Sequence, residues 1–368
     1  MEKKLNIPLS KVYVDEDIKK AVLEVLDSGW YILGERVREF ERKFADFVGV
    51  KHAVCASSGT TAIFLSLLAI DIKPGDEVII PSFSFIATAS PILHVRAKPI
   101  FTDINLRTYT MTHHEVKQKL SKRTKAIMPV HLFGHPVDMD PIMEIAKENN
   151  LVVIEDACQA HGAEYKGRKI GGIGHVGCFS FYPSKNMTVC GDGGIITTND
   201  DEIAEKVRLL RDHGRTEKYT HKILGYNMRF NEIQAAIGIK QLEKLPGWND
   251  ARRKIAQTYN EALNHLVVVP VEEPWAKCVY HMYVIRTEKR NDLQEFLKEK
   301  GISTGIHYPV PITKQPAIAN MLGQPSSLKN SELAAKTVLS LPLHPQLSNK
   351  EIEYVCAKIS EFLEKFKS

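Results

Sequence analysis

Between residues 53 and 154, short apolar runs rich in branched side chains alternate with longer segments whose apolar residues fall three and four apart. The short runs are 53–56, 77–80, 98–101, 125–129 and 151–154; they are too brief for helices and are bounded by polar residues, which predicts buried strands. The segments between them, at about 60–70, 84–94, 112–120 and 139–148, predict helices. Two more helices precede this region. One runs from Glu16 to Leu26, with Ile18, Ala21, Val22, Val25 and Leu26 at helical spacing behind a capping Asp15. The other carries Phe40, Phe44 and Phe47 on one face, read as core. The SGWYILG loop between them leaves Trp30 and Tyr31 either covered or facing a ligand. Repeated strand–helix units predict an α/β fold, a mostly parallel central sheet flanked by helices. Ligands of such sheets sit at the C-terminal ends of the strands.

Further along, 193–197 reads as another strand after a Gly191-Asp192 turn, followed by a helix at about 201–211. A long helical pattern from Asn231 to about Leu263 is interrupted by Pro246-Gly247. The interruption predicts a large domain over 1–245 and a smaller α+β domain over 246–368. The latter is expected to hold a strand at 280–285, a helix at 291–299, a strand near 303–307 and a helix at 350–366.

The chemistry concentrates between Val152 and Asn186. Asp156 closes the apolar run that starts at Leu151, and Lys185 follows a second run, Cys178 to Tyr182. By itself such an Asp is a turn residue and such a Lys a solvated surface group. Delivered together from the ends of neighbouring strands, they suit pyridoxal phosphate (PLP). A lysine holds that cofactor as a Schiff base and an acid keeps its ring nitrogen protonated. Ser57-Ser58-Gly59-Thr60-Thr61 follows a strand and opens a helix; it reads as an N-cap or, after the first strand of a parallel sheet, as a phosphate cradle. Phe85, in PSFSF at the end of the next strand, is either core or a ring lying against a planar cofactor.

Other patterns fail on context. Gly172 to Gly177 matches GxGxxG but runs from a polar turn into an apolar run instead of from a strand into a helix, so it is read as a flexible approach to the lysine strand. His131 and His135 have helical metal-ligand spacing, but Gly134 and Pro136 argue against a helix and no carboxylate partner is near, so no metal is expected. No GxSxG marks a serine nucleophile.

Composition narrows the class. The 368 residues are 43% hydrophobic and 25% charged, ordinary for a globular protein with a large core. A net charge of +5 on 49 basic and 44 acidic residues, without a basic block, gives nucleic-acid binding no support. The six cysteines, at 55, 158, 178, 190, 278 and 356, form no CxxC and lie mostly in apolar runs, which suits a reducing compartment. The opening MEKKLNIPLSK lacks the apolar core of a signal peptide, and no membrane span is present, so a cytoplasmic protein is expected.

The motifs SGWYILG, SSGTTA, PSFSFIATA, VHLFGHPVDM, EDACQAHGA, FSFYPSKN, GDGGIITTND, GYNMR, HYPVP and LPLHP, in this order, resemble the DegT-type sugar-nucleotide aminotransferases. These are PLP enzymes of the fold-type-I, aspartate aminotransferase-like architecture. The resemblance runs almost end to end. It implies that Lys185 binds the cofactor and moves the proton, that Asp156 pairs with the ring nitrogen, and that Gln159 lies on the ring-hydroxyl side. It further implies that Phe85 stacks on the ring, that Thr60, Thr61 and Ser180 hold the phosphate, and that Asn227 reaches that phosphate from the other subunit of a homodimer. His161, Tyr182, Arg229, His307 and Tyr308 are implied substrate contacts. Arg229 reads equally as a bidentate partner for a carboxylate or phosphate and as an interface salt bridge.

In a related branch of that family, which removes a hydroxyl, the lysine is replaced by histidine; Lys185 here favours amination. The implied reaction moves nitrogen from an amino acid, glutamate in most members, to a nucleotide-linked keto-sugar. GIHYPVP resembles members acting at the 3-keto position more than those acting at the 4-keto position, although Thr313-Lys314 stands where members often carry a histidine. The remaining alternatives are a 4-keto-sugar aminotransferase, a PLP-dependent sugar dehydratase and a non-catalytic PLP-binding regulatory protein.

Overall fold

Seven of the apolar runs pair into one sheet in the computed structural model, which describes residues 6–323 and 327–365. Residues 1–5 and 366–368 lie outside the described residues, and with them the outer limits of the expected domains, the start of the amino-terminal segment and the last residue of the expected helix 350–366. The strands are His52–Ala56, Glu77–Pro81, Lys98–Thr102, Thr124–Ile127, Val152–Asp156, Val176–Ser180 and Gly194–Thr198. Across the sheet their order is 52–56, 194–198, 176–180, 152–156, 124–127, 77–81, 98–102. All neighbours run parallel except around Gly194–Thr198, which is antiparallel to both of its partners. That reversal brings Gly194 beside Ala56 and Ser180, at the sheet end where Asp156 also lies.

The strands read as continuous apolar runs because both faces are covered. Successive side chains go to opposite layers: Ile79, Val153 and Ile195 join one buried cluster, with Phe40 and Phe44, whereas Ile80, Ile154 and Ile196 join another, with Leu65 and Val207. The phenylalanine stripe is core as expected.

Three elements depart from the sequence reading. The helix expected at 84–94 splits into a single 3-10 turn, Ile86–Thr88, and a short helix, Ser90–His94, because Pro91 has no N–H to give and starts a new helix instead. The long helix is not broken at Pro246-Gly247: Glu232–Leu263 is one helix of 32 residues, and the expected boundary at 245/246 falls inside it. An interior proline costs about 3 kcal/mol. On its amino-terminal side Ala235, Ile239, Leu242 and Leu245 are locked into the core beneath the sheet, and on the other side Ile255, Ala256, Tyr259 and Leu263 into the carboxy-terminal core. At about 1.5–3 kcal/mol for each large apolar side chain buried, unpacking either half would cost more than the proline does. Finally, 303–307 forms no strand. Gly305 makes a single bridge to Ser340, and the strand partner of Tyr283–Arg286 is Val338–Leu341, antiparallel to it. The N–H groups of the former segment are divided between two partners, Ser303 bonding to Ile7 O at 2.9 Å and Gly305 to Ser340 O at 3.1 Å, so no continuous ladder forms.

The GxGxxG segment has a structural task, and it is tied down, not flexible. Glu155 is fully buried and accepts from the N–H groups of Gly171, Ile173 and Gly174 at 2.9, 2.8 and 2.6 Å. His131 Nε2 lies 3.1 Å from the same carboxylate, while its Nδ1 accepts from Val137 N–H at 3.0 Å. Burial pushes the Glu155 carboxyl up, but His131 and the backbone donors outweigh it and hold it below the usual range. Its stabilisation is therefore complete above about pH 4.5 and lost as the pH falls through the lower folded value. Glu155→Ala is expected to cost roughly 3–5 kcal/mol at neutral pH, with a smaller penalty in acid. Urea midpoints at the two pH values check this.

Candidate active site

The strand ends at Asp156 and Ser180, the segment 58–60 that follows the first strand, and Asp192 border a cleft of about 440 Å³, lined on another side by 281–282 and 307–308. Of the residues singled out in the sequence, Thr60, Phe85, Asp156, Gln159, Ser180, Tyr182, Lys185, His307 and Tyr308 line it.

Asp156 is 5% exposed. Its Oδ2 accepts from Thr88 Oγ1 at 2.8 Å, Thr88 Oγ1 pairs with Ser84 Oγ at 2.9 Å, and Cys158 N–H donates to Oδ1 at 3.2 Å. The proline that splits the 84–94 segment thus leaves a turn that presents two hydroxyls, one of them directly to the acid. Lys185 lies in the loop beyond Val176–Ser180, which ends two residues before the run read from sequence; its N–H bonds to Tyr182 O at 2.8 Å. Burial holds the Lys185 ammonium below the usual lysine range, against the pull of Cys158 and Asp156.

At the other rim, Gln159 Oε1 accepts from Phe133 N–H at 2.9 Å and its Nε2 donates to Tyr308 Oη at 3.0 Å. Burial raises the Tyr308 phenol well above its ordinary value. The Tyr308 ring lies 5.9 Å from that of Phe85 at 34°, and Phe85 is 53% exposed, so it is a wall of the cleft and not core. Tyr182 is likewise exposed at the cleft. His307 Nδ1 pairs with Ser340 Oγ at 2.9 Å; burial and the Lys185 charge lower its imidazole to about 4.

Helix Gly59–Ala69 begins at the cleft. Ser58 Oγ takes the Thr61 N–H and Ser58 O that of Ala62, so the N–H groups of Gly59 and Thr60 have no acceptor among the described residues. A Cβ on Gly59 would stand 2.6 Å from Ser180 Cβ and 3.0 Å from Cys158 Sγ, so the close approach requires glycine. Both readings of this motif hold at once: Ser58 and Thr61 form a reciprocal cap, and the open donors remain for an anion.

Four of the residues lie elsewhere. The Thr61 hydroxyl is spent on the cap. His161 is fully buried behind the cleft against Phe179 and Phe181, and burial lowers it to about 3. Arg229 Nη1 pairs with Asp212 at 2.9 Å. Asn227 is exposed and away from this chain's own cleft. Conversely, Thr88, Ser184, Asp192 and His281 line the cleft and were not singled out. The Ser84/Thr88 pair, four residues apart after a strand, was a readable signal; His281, inside an apolar run, gave none.

His131 and His135 are engaged in hydrogen bonds, the latter through Nδ1 to Pro136 O at 2.7 Å.

The sequence and the fold match those of known proteins. The sequence model of the DegT/DnrJ/EryC1/StrS aminotransferase family matches residues 12–360. The chain belongs to that family. It is 44% identical, over 98% of this chain and 100% of the other, to a pleiotropic regulatory protein of Geobacillus stearothermophilus. It is 41% identical to the dTDP-3-amino-3,4,6-trideoxy-alpha-D-glucose transaminase of Streptomyces venezuelae, over 94% and 92% of the two chains. The crystal structure of S. venezuelae DesV in complex with a ketimine intermediate superposes with a TM-score of 0.92 at 40% identity, covering 94% of each chain. The fold is that of these DegT-family aminotransferases, and the chain is a PLP-dependent aminotransferase of sugar-nucleotide type.

The residues present fit the cofactor. The unpaired N–H groups of Gly59 and Thr60, with Ser180 beside them, suit its phosphate, Asp156 at the cleft wall suits a ring nitrogen, and the half-buried Lys185 amine suits its aldehyde.

Proposed function

We propose that this chain moves an amino group from glutamate to a nucleotide-linked keto-sugar at C3, working as a homodimer in the cytoplasm. The observation that carries the reading is the pair Asp156 and Lys185 in one cleft, the acid fixed by Thr88 and the amine depressed by burial. Bound PLP supplies an electron sink for breaking the bond to a substrate proton. The chain's own residues do the rest. Asp156 keeps a proton on the ring nitrogen, and Phe85 covers a face. Thr60 and Ser180, with the helix start, take the phosphate, and Gln159 faces the ring hydroxyl while holding Tyr308. An amine of lowered proton affinity is free base in a larger fraction of molecules, so Lys185 takes and returns the proton that moves between donor, cofactor and acceptor. His307, Tyr308 and Tyr182 present imidazole and phenol groups suited to sugar hydroxyls. His161, buried behind this wall, contributes by packing.

The C3 preference rests on the GIHYPVP segment and on the S. venezuelae relative, which is named for a 3-amino sugar. Thr313 and Lys314 stand apart from the cleft, the former buried and the latter paired with Glu332 at 2.9 Å, so they leave the sugar's outer substituents to other groups. The homodimer is supported by Asn227, exposed and off its own cleft, beside Leu224 and Tyr226, and by exposed Trp30, Tyr31 and Ile32. Arg229 pairs with Asp212 within the chain at 2.9 Å, which favours a structural salt bridge over a substrate contact. The cytoplasmic location is supported by six unpaired cysteines. Among the described residues no helix is long and apolar enough to cross a membrane.

A second reading, a PLP-binding regulator without turnover, is favoured by the name of the G. stearothermophilus relative. One experiment separates them. Visible spectra of the loaded protein before and after glutamate, followed by a panel of nucleotide-linked 3-keto and 4-keto sugars, are expected to show a glutamate-driven change that a 3-keto sugar reverses. Reversal by a 4-keto sugar alone would move the site of amination, release of a hydroxyl from the sugar would indicate the dehydratase, and a spectrum unmoved by glutamate would favour the regulator.

A further inference from the structure

The loop that carries Lys185 is gripped from behind by the long helix. Three helix residues, Gln241, Leu245 and Asn249, are spaced four apart on one face, and all three are buried. Gln241 Oε1 accepts from Thr188 N–H at 3.3 Å, and its Nε2 donates to Tyr13 O at 2.8 Å. Asn249 Oδ1 accepts from Asn186 Nδ2 at 2.9 Å, and the same Nδ2 donates to Val279 O at 2.9 Å. Asn249 Nδ2 in turn donates to His161 O at 2.8 Å. Because two acceptors face Asn186 Nδ2 and a carbonyl faces Asn249 Nδ2, both amide orientations are determined by their partners.

These bonds close a buried junction of four separate segments: the lysine loop, the helix, the residues after Asp156, and the stretch leading to His281. Asn249 does not line the cleft, and nothing in the chemistry above uses it. Yet it is joined through one side chain to the residue adjoining Lys185. Asn186 is 4% and Asn249 7% exposed, so water does not compete for these bonds. The junction is not saturated either: Asn186 Oδ1 and both ring nitrogens of His161 and His281 have no partner among the described residues, which suits a buried water among them.

We propose that Asn249 is a positioning residue for Lys185, acting through Asn186 to fix the backbone from which the lysine side chain swings during the two half-reactions. This rests on the aminotransferase reading. The lysine must change partners in each half-reaction while its Cα stays in register with the cofactor, and a displacement of about 1 Å at such a group costs on the order of 100-fold in rate. The helix supplies the rigid support that the loop lacks, and the Gln241 amide at Thr188 holds the loop's other side.

The test uses the loaded full-length enzyme and the glutamate half-reaction, read by stopped-flow absorbance, so that it does not depend on knowing the sugar. Asn249→Ala and Asn186→Ala are each expected to slow the half-reaction at saturating glutamate at least about tenfold. The double variant should be little slower than either, because the two residues act as one unit. Half-saturating glutamate should stay within about twofold. Asn249→Asp supplies a readout that lost stability alone would not give. Its carboxylate can still accept from Asn186 but faces His161 O with no proton to donate, and burial raises its pKa. Its rate relative to the unmodified enzyme, measured well below both thermal midpoints so that unfolding does not contribute, should therefore rise as the pH is lowered, and the two midpoints should converge over the same range because the raised carboxyl pKa also links folding to pH.

Rates within twofold of the unmodified enzyme in both alanine variants would overturn the proposal. So would a loss confined to cofactor retention, with the loaded fraction reacting at full speed. If the unmodified, loaded enzyme itself does not respond to glutamate, the aminotransferase reading fails, and this proposal with it.

Discussion

Lys185→Ala is expected to lower amino transfer by at least about 1,000-fold, the upper part of the range for a positioned acid–base group, with the added loss of its bond to the cofactor. The fold should survive. The hydrogen bond made at this position, to Tyr182 O, comes from the backbone, which alanine keeps. Stability of the cofactor-free protein should hold or rise slightly. Burial lowers the Lys185 pKa in the folded chain, so the protonated amine is favoured by unfolding, and at pH values below the folded value the wild type carries that penalty. Removing the amine removes it, a pattern in which function is kept at the expense of stability. Stopped-flow spectra with glutamate and a thermal melt without cofactor check the two halves separately. A variant that transferred nitrogen at the full rate would sink the assignment.

Asp156→Asn is expected to be the second most damaging change, slowing the half-reaction by about 100- to 1,000-fold, as the loss of one preorganised charge does elsewhere. The shape is preserved, and the local bonds adapt. Cys158 N–H needs an acceptor, which the amide oxygen supplies, and the Thr88 hydroxyl can turn to accept from the new NH2 group. What is lost, on the proposed reading, is the negative charge that would keep a ring nitrogen protonated. The deficit should therefore lie in the rate at saturating glutamate and not in half-saturation. An unchanged rate would mean that another group is the acid partner.

Much of this site was legible because its residues sit where strands end. The apolar runs locate the strands, a parallel sheet puts their ends on one side, and Asp156 and Lys185 follow. The supports of those residues were less legible, and the reasons are physical. Thr88 reaches Asp156 because Pro91 shortens a helix, so a turn was hidden inside a helical pattern. Asn249 lies 63 residues from its partner Asn186, and no local pattern encodes that distance. The continuity of the long helix through Pro246 was invisible for the same reason: the proline's local cost is readable, whereas the two cores that hold each half in line are tertiary. His161 shows the opposite failure. It sits in a motif next to functional residues, yet burial against Phe179 and Phe181 removes it from the cleft.

The central claim is that nitrogen travels from an amino acid through the Lys185 site to a nucleotide-linked keto-sugar. The most direct measurement is a single turnover with glutamate carrying an isotopically labelled amino nitrogen, followed by mass analysis of the sugar nucleotide. The expected result is a labelled amino-sugar nucleotide, formed in an amount equal to the cofactor loaded and absent with Lys185→Ala. A loaded protein that releases labelled ammonia, or retains the label with every keto-sugar offered, would contradict the account.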